Sequence, residues 1–205
     1  MPAIFPLLMH GFWLSLALIF VAELGDKTQL VALTLATRFQ AGVVLAGVSV
    51  ATLLVHAFSV VLGDLTSKVL PHQWIVLLSG LAFLAFGAWT LRGDRVHGED
   101  GAVKRITSPF LIVSVTFFLA ELGDKTMLGT VTLATQYPPV QVWLGSTLGM
   151  VLSDALAIWV GQALGQRLPE RAVRLGAAGI FFVVGLFYLV QAAYGLGLLS
   201  AAGLG

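Results

Sequence analysis

Two six-residue stretches of this chain have the makings of chemistry. Residues 23–28 and 121–126 both read Glu-Leu-Gly-Asp-Lys-Thr. Each offers two carboxylates, one ammonium group and one hydroxyl inside an otherwise apolar stretch. On a continuous helix Glu23 and Asp26, three residues apart, share a face, and Lys27 lies one turn from Glu23; Glu121, Asp124 and Lys125 repeat the pattern. Gly25 and Gly123 would let a neighbouring helix or an ion approach the backbone, or let the helix open. An opened turn exposes carbonyl oxygens, which a membrane tolerates only where they line a cavity or are buried in protein. Carboxylates with the hydroxyls of Thr28 and Thr126, carbonyls and water form a hard oxygen set suited to Ca²⁺, Mn²⁺ or Mg²⁺. A blander reading makes Glu23–Lys27 and Glu121–Lys125 mere ion pairs that fasten helices, which would leave Asp26 and Asp124 unpaired.

The surroundings of these motifs are lipid. The chain has 205 residues, 58% hydrophobic and 10% charged, with a mean hydropathy of +0.96. Soluble domains carry roughly 25% charged residues. Apolar stretches long enough for a hydrocarbon core about 30 Å thick recur six times, at about Phe5–Thr37, Val43–Gly63, Trp74–Leu91, Phe110–Thr135, Val140–Gly165 and Leu175–Leu199. The first and fourth exceed one span and hold the motifs centrally, which predicts a tilted or broken helix. The longest polar stretch, Arg92–Ser108, is too short to fold alone. The N-terminus lacks a basic segment and a small-residue cleavage site, so it reads as a first helix. Without cysteine there is no disulfide framework or thiolate metal site.

The motifs lie 98 residues apart (121 − 23), and the offset holds without a gap. It carries Thr34-Leu35-Ala36-Thr37 onto Thr132-Leu133-Ala134-Thr135, Gly47 onto Gly145, Gly63 onto Gly161, Pro71 onto Pro169, Phe83 onto Phe181 and Gly87 onto Gly185. Duplication follows: a first three-helix unit over 1–92, a loop over 93–107 and a second unit over 108–205. Three spans is an odd number, so the second copy enters from the opposite side. The expected fold is therefore all-α and polytopic, with six transmembrane helices as two inverted three-helix repeats and a site near the midplane. Lys and Arg set the orientation. Arg38, Arg92, Arg95, Lys104, Arg105, Arg167, Arg171 and Arg174 fall in or beside loops one, three and five, against Lys68 alone on the other face. That places loop 92–107 in the cytoplasm and both termini outside.

An ionisable group at mid-membrane costs about 2.5–3.5 kcal/mol on insertion scales. Glu23, Asp26, Glu121 and Asp124 with Lys27 and Lys125 sum to −2 when all are charged. Inverted symmetry would bring the clusters face to face, where a divalent cation neutralises the remainder. Carboxyl groups crowded in low dielectric also retain protons, so protons can replace a departing metal. Gln29 follows the first motif but Met127 the second, making the half-sites unequal. His56 and Asp154 correspond under the offset, and each could support the site or relay protons; a hydrogen bond to a neighbouring helix explains His56 equally well. Asp64, near a helix end, reads as solvated. Thr34, Thr37, Thr132 and Thr135 read as bonded to backbone. The five tryptophans, Trp13, Trp74, Trp89, Trp143 and Trp159, read as interface anchors or lipid-facing packing.

The duplicated E-x-G-D-[KR]-[ST] motif, one copy in the first helix of each repeat, resembles the Gdt-type family of calcium/manganese cation–proton antiporters, which has a Golgi member in eukaryotes and manganese exporters in bacteria. The resemblance implies a bacterial manganese-exporter-like antiporter of the inner membrane, with Glu23, Asp26, Glu121 and Asp124 binding Mn²⁺ or Ca²⁺. Its partners would be the divalent ion, protons and the bilayer, with no prosthetic group and no nucleic acid. Two rivals stand beside it. One is a small amino-acid exporter of similar six-helix architecture, with a motif lysine holding the substrate carboxylate. The other is a non-transporting membrane enzyme or assembly factor. Against an enzyme, the sequence contains no nucleophile–base pair, nucleotide motif or metal-binding histidine cluster.

Overall fold

An apolar segment with no water to bond must satisfy its backbone internally, and a helix does so within one segment. The computed structural model describes residues 10–92, 108–164 and 170–196, and its regular elements there are helices throughout. In chain order they are α1 (His10–Glu23), α2 (Lys27–Arg38), α3 (Ala41–Val69), α4 (His72–Arg92), α5 (Pro109–Glu121), α6 (Lys125–Ala134), α7 (Pro139–Leu164) and α8 (Glu170–Gly195). Four of them, α3, α4, α7 and α8, are long and apolar enough to cross a membrane; α1 and α5 are apolar but shorter. Outward faces are greasy, as with Leu54, Phe58, Val61 and Leu65 on α3 and Val183, Leu186, Phe187 and Val190 on α8. The chain is an all-helical, multi-pass membrane protein.

Each over-long stretch that holds a motif is two helices. The breaks fall at Leu24–Asp26 and Leu122–Asp124, where Gly25 and Gly123 adopt φ of 73° and 78°. That left-handed conformation costs residues with a Cβ roughly 1–2 kcal/mol. The Asp26 N–H donates to the Glu23 carbonyl (3.1 Å) and the Asp124 N–H to the Glu121 carbonyl (3.2 Å), closing the two turns. Asp26 and Asp124 then stand as N-caps of α2 and α6 in extended conformation. The placement of Glu23 and Asp26 on one helical face is thereby corrected. Glu23 ends one helix and Asp26 precedes the next, so the turn sets their relation.

Helix packing repeats under the 98-residue offset when the halves are exchanged. Helix α1 packs on α7 as α5 packs on α3, and α2 meets α7 as α6 meets α3, while α3·α7 and α4·α8 exchange into themselves. Two pairs of equivalent residues touch each other. Thr52 Oγ1 donates to Met150 Sδ at 3.3 Å, and the rings of Phe83 and Phe181 stack at 6.1 Å. Each half thus presents the same positions to the other at these two contacts. Small residues let the backbones close, as membrane helices require: a Cβ at Gly47 would lie 2.8 Å from Val113 Cβ, and one at Gly145 would collide with Ser15, the residue equivalent to Val113.

Some peripheral expectations change. Trp143 is half-buried and donates from Nε1 to the Leu53 carbonyl at 2.9 Å, so it ties α7 to α3 instead of anchoring at an interface. Trp13, Trp74 and Trp159 are exposed. Asp64 is paired with Lys68 at 2.6 Å on the surface. Thr34, Thr37, Thr132 and Thr135 donate to backbone carbonyls one turn back, as expected. Arg95, Lys104, Arg105 and Arg167 lie outside the described residues.

Candidate functional site

The two broken helices bring their motifs into one buried region. Glu23 and Glu121 are 0% exposed, Asp26 and Asp124 2%. Each glutamate is held by the hydroxyl one turn on: Thr28 donates to Glu23 Oε1, and Thr126 donates to Glu121 Oε2 at 2.7 Å. The other glutamate oxygens, Glu23 Oε2 and Glu121 Oε1, accept no hydrogen bond among the described residues. A buried carboxylate oxygen in that condition costs desolvation energy that an incoming cation or proton can offset.

Glu23 lies within Coulombic range of Glu121, Asp154 and Asp26, and Glu121 within range of Asp124, Asp26 and Asp154. The four motif carboxylates therefore form one electrostatic unit, and Asp154 on α7 is a fifth member. It is 0% exposed, and neither of its oxygens accepts a hydrogen bond among the described residues. Its counterpart His56 on α3 is equally buried, with Nδ1 3.4 Å from Thr147 Oγ1 and Nε2 without a hydrogen bond among the described residues. Positions equivalent under the 98-residue offset thus carry an acid on α7 and an imidazole on α3. Thr147 also lines a mostly apolar cavity of about 390 Å³ between α1, α3 and α7, together with Phe12, Ser49, Leu144, Leu148 and Val151.

Lys125 does not follow the simple pairing. Lys125 is 3% exposed, and its Nζ sits 2.8 Å from Asp26 Oδ1, in the other half of the molecule, instead of on Glu121 one turn away. The break in the helix explains this. Lys125 opens α6 beyond the turn, so its stem leaves Glu121 and crosses to the facing N-cap. Asp26, expected to lack a partner in a purely structural motif, therefore has one. Lys27 contributes backbone to the start of α2.

Among the described residues no three His, Asp or Glu side chains converge closely enough to chelate an ion. Instead, Glu23 faces Thr28, Glu121 faces Thr126 and Asp26 faces Lys125. Cation capture by this set requires those side chains to re-aim.

Gln29 and Met127, chemically unlike, share one role. Gln29 Oε1 accepts the Gly25 N–H at 2.9 Å, and Met127 Sδ accepts the Gly123 N–H at 3.1 Å. Only Gln29 goes further: its Nε2 donates to the carbonyl (3.1 Å) and hydroxyl (2.9 Å) of Ser153, next to Asp154. Ser153 and Thr147 escaped the sequence reading, because a lone hydroxyl in an apolar helix gives no signal until its partner is known. Gln29→Met should keep the turn's acceptor but lose both bonds to α7, at about 0.5–1.5 kcal/mol each. Thermal unfolding in detergent would register the loss, and an unchanged midpoint would contradict this link.

Comparison with known proteins follows the same division. The family model described as "Divalent cation/proton antiporter GDT1" matches twice, over residues 11–97 and 109–195, segments again offset by 98. A Vibrio cholerae protein named "Putative manganese exporter" is 34% identical over 179 residues, covering 84% of this chain and 87% of that protein. GDT1-like protein 5 of Arabidopsis thaliana is 28% identical over 220 residues, covering 87% and 95%. The chloroplastic GDT1-like protein 2 of Oryza sativa is 32% identical over 211 residues, covering 87% and 61%. No solved structure matches the chain.

Proposed function

Because the chain belongs to the GDT1 family of divalent cation/proton antiporters, whose members are transporters and not enzymes, we propose that it exports Mn²⁺ or Ca²⁺ from the cytoplasm in exchange for protons. The cargo would be held by Glu23, Asp26, Glu121 and Asp124, with Asp154 adding a fifth negative charge and Thr28 and Thr126 steering the glutamates. The observation that carries this reading is the pair of helix breaks that gather buried carboxylates from both halves into one Coulombic unit. Oxygen ligands of this kind suit hard divalent ions. The name of the Vibrio relative favours manganese.

The mechanism follows from charge. Five carboxylates in low dielectric cannot all stay ionised without cations, so the group alternates between cargo and protons. The path across the membrane would be six crossings in two inverted repeats. Helices α1 and α2 carry 14 and 12 residues, about 39 Å of helix at 1.5 Å per residue, and α5 with α6 (13 and 10 residues) about 35 Å. Each broken pair thus suffices for one crossing of a core about 30 Å thick. The exchange-symmetric packing supports alternating access by rocking one half against the other. Eight Lys and Arg in or beside loops one, three and five would hold those loops, and the segment 92–107, in the cytoplasm, with both termini outside and the inner membrane as location.

Proteoliposomes carrying a lumenal pH dye test the reading. A Mn²⁺ or Ca²⁺ gradient should drive protons the opposite way, and Mg²⁺, which sheds its water reluctantly, should drive far less. Absence of proton movement with every divalent ion tried would refute it.

A further inference from the structure

The contact between Lys125 and Asp26 joins the two halves at the N-caps of their broken helices. Nζ lies 2.8 Å from Asp26 Oδ1, with the two side chains 3% and 1% exposed. The same ammonium is within Coulombic range of Glu23 and Asp124. It therefore sits among three carboxylates, those of Asp26, Glu23 and Asp124. A divalent ion bound to Asp26 would sit about 2.1–2.6 Å from a carboxylate oxygen, within a few ångströms of that ammonium. Water cannot screen two like charges in so buried a setting. Cargo and ammonium would thus compete for Asp26.

We propose that Lys125 is a tethered surrogate cation. It holds Asp26 when the cargo is elsewhere, and swings off on its flexible stem when the cargo binds. This inference rests on the reading of the carboxylates as the cargo site. It gives the motif lysine two tasks that a satisfied ion pair lacks. Lys125 keeps the carboxylates partly neutralised while the halves re-pack, which lets the cargo-free carrier return. It also competes with the cargo, so that binding stays weak enough for release, as conduction through a selective site demands. A lysine suits this better than an arginine, being a compact point charge on a four-carbon stem with no bidentate grip on the carboxylate.

The test measures Mn²⁺ and Ca²⁺ affinity by calorimetry on nanodisc-held protein, alongside exchange in proteoliposomes. Lys125→Met removes the charge and keeps the length. Its Kd should fall by about tenfold or more, a step of roughly 1.4 kcal/mol, while exchange turnover drops. A folded Lys125→Met protein with unchanged or weaker affinity would overturn the proposal and leave the cargo site standing. If the Met variant does not insert, Lys125→Arg carries the test. Its guanidinium grips a carboxylate through two N–H bonds, so cation affinity should weaken several-fold, and an unchanged affinity overturns the proposal. Wild-type protein that binds neither ion defeats the underlying site reading itself, a result distinct from either variant outcome.

Discussion

Glu121→Gln and Asp124→Asn should each lower divalent-cation/proton exchange at least about 100-fold while the protein still inserts and folds. A unit negative charge 4 Å from a divalent ion contributes about 8 kcal/mol at an effective dielectric of 20. Desolvation cancels much of this, but if one third survives, the loss is about 2.7 kcal/mol, two factors of ten. In the Glu121→Gln variant the neutral side-chain amide can still accept the Thr126 hydroxyl that now reaches Glu121 Oε2. Removing the Glu121 charge from a cluster of five acids also relieves repulsion, so in that variant thermal stability should hold or rise as transport disappears. Opposite signs for stability and activity separate a lost ligand from a lost fold. Exchange above about one third of wild type in either variant would remove that residue from the cargo site.

Much of this arrangement was legible in the residues. Identical polar motifs in register with Gly47/Gly145 and Gly63/Gly161 read as duplication, because lipid-facing composition alone does not account for glycines matched at helix crossings. The over-long first and fourth apolar stretches pointed to a broken helix, since a hydrophobic run too long for the bilayer must tilt or kink. What stayed hidden depends on side chains meeting across elements. A helical i, i+4 argument assigns Lys125 to Glu121, and only the left-handed turn at Gly123 sends it to Asp26. The offset pairs His56 with Asp154, but the difference in their surroundings depends on the packing of α7 against α2 and α3. Gln29 and Met127 looked like a broken symmetry and are in part a preserved one, because a thioether sulfur and an amide oxygen can both accept the same backbone N–H. Periodicity and composition carry information along a helix. They carry little about what a helix end faces.

Gly145→Val should fail to give a folded, monodisperse protein, whereas Gly42→Ala and Gly176→Ala should fold as well as the wild type or slightly better. Helix α7 crosses α1 so closely that a Cβ at Gly145 would collide with Ser15 Oγ and the Phe12 carbonyl oxygen, and one at Gly149 would lie 2.5 Å from the Leu16 carbonyl oxygen. These neighbours include backbone, which cannot rotate away as a side-chain tip can. The helices would have to separate. Overpacking of a side-chain core costs typically about 1–3 kcal/mol, and here the damage spreads beyond the contact. Helix α1 ends in Glu23, and α7 carries Ser153 and Asp154, so prising them apart displaces three groups at the edge of the carboxylate cluster and strains the Gln29 bonds. At Gly42 and Gly176 an added Cβ meets nothing within 4 Å, and alanine is the better helix former by about 1 kcal/mol. Size-exclusion profiles and thermal midpoints of the three variants decide the matter. A well-folded Gly145→Val protein with wild-type exchange would show that α1 and α7 do not approach this closely, and that the position of Glu23 is set by the turn at Gly25 alone.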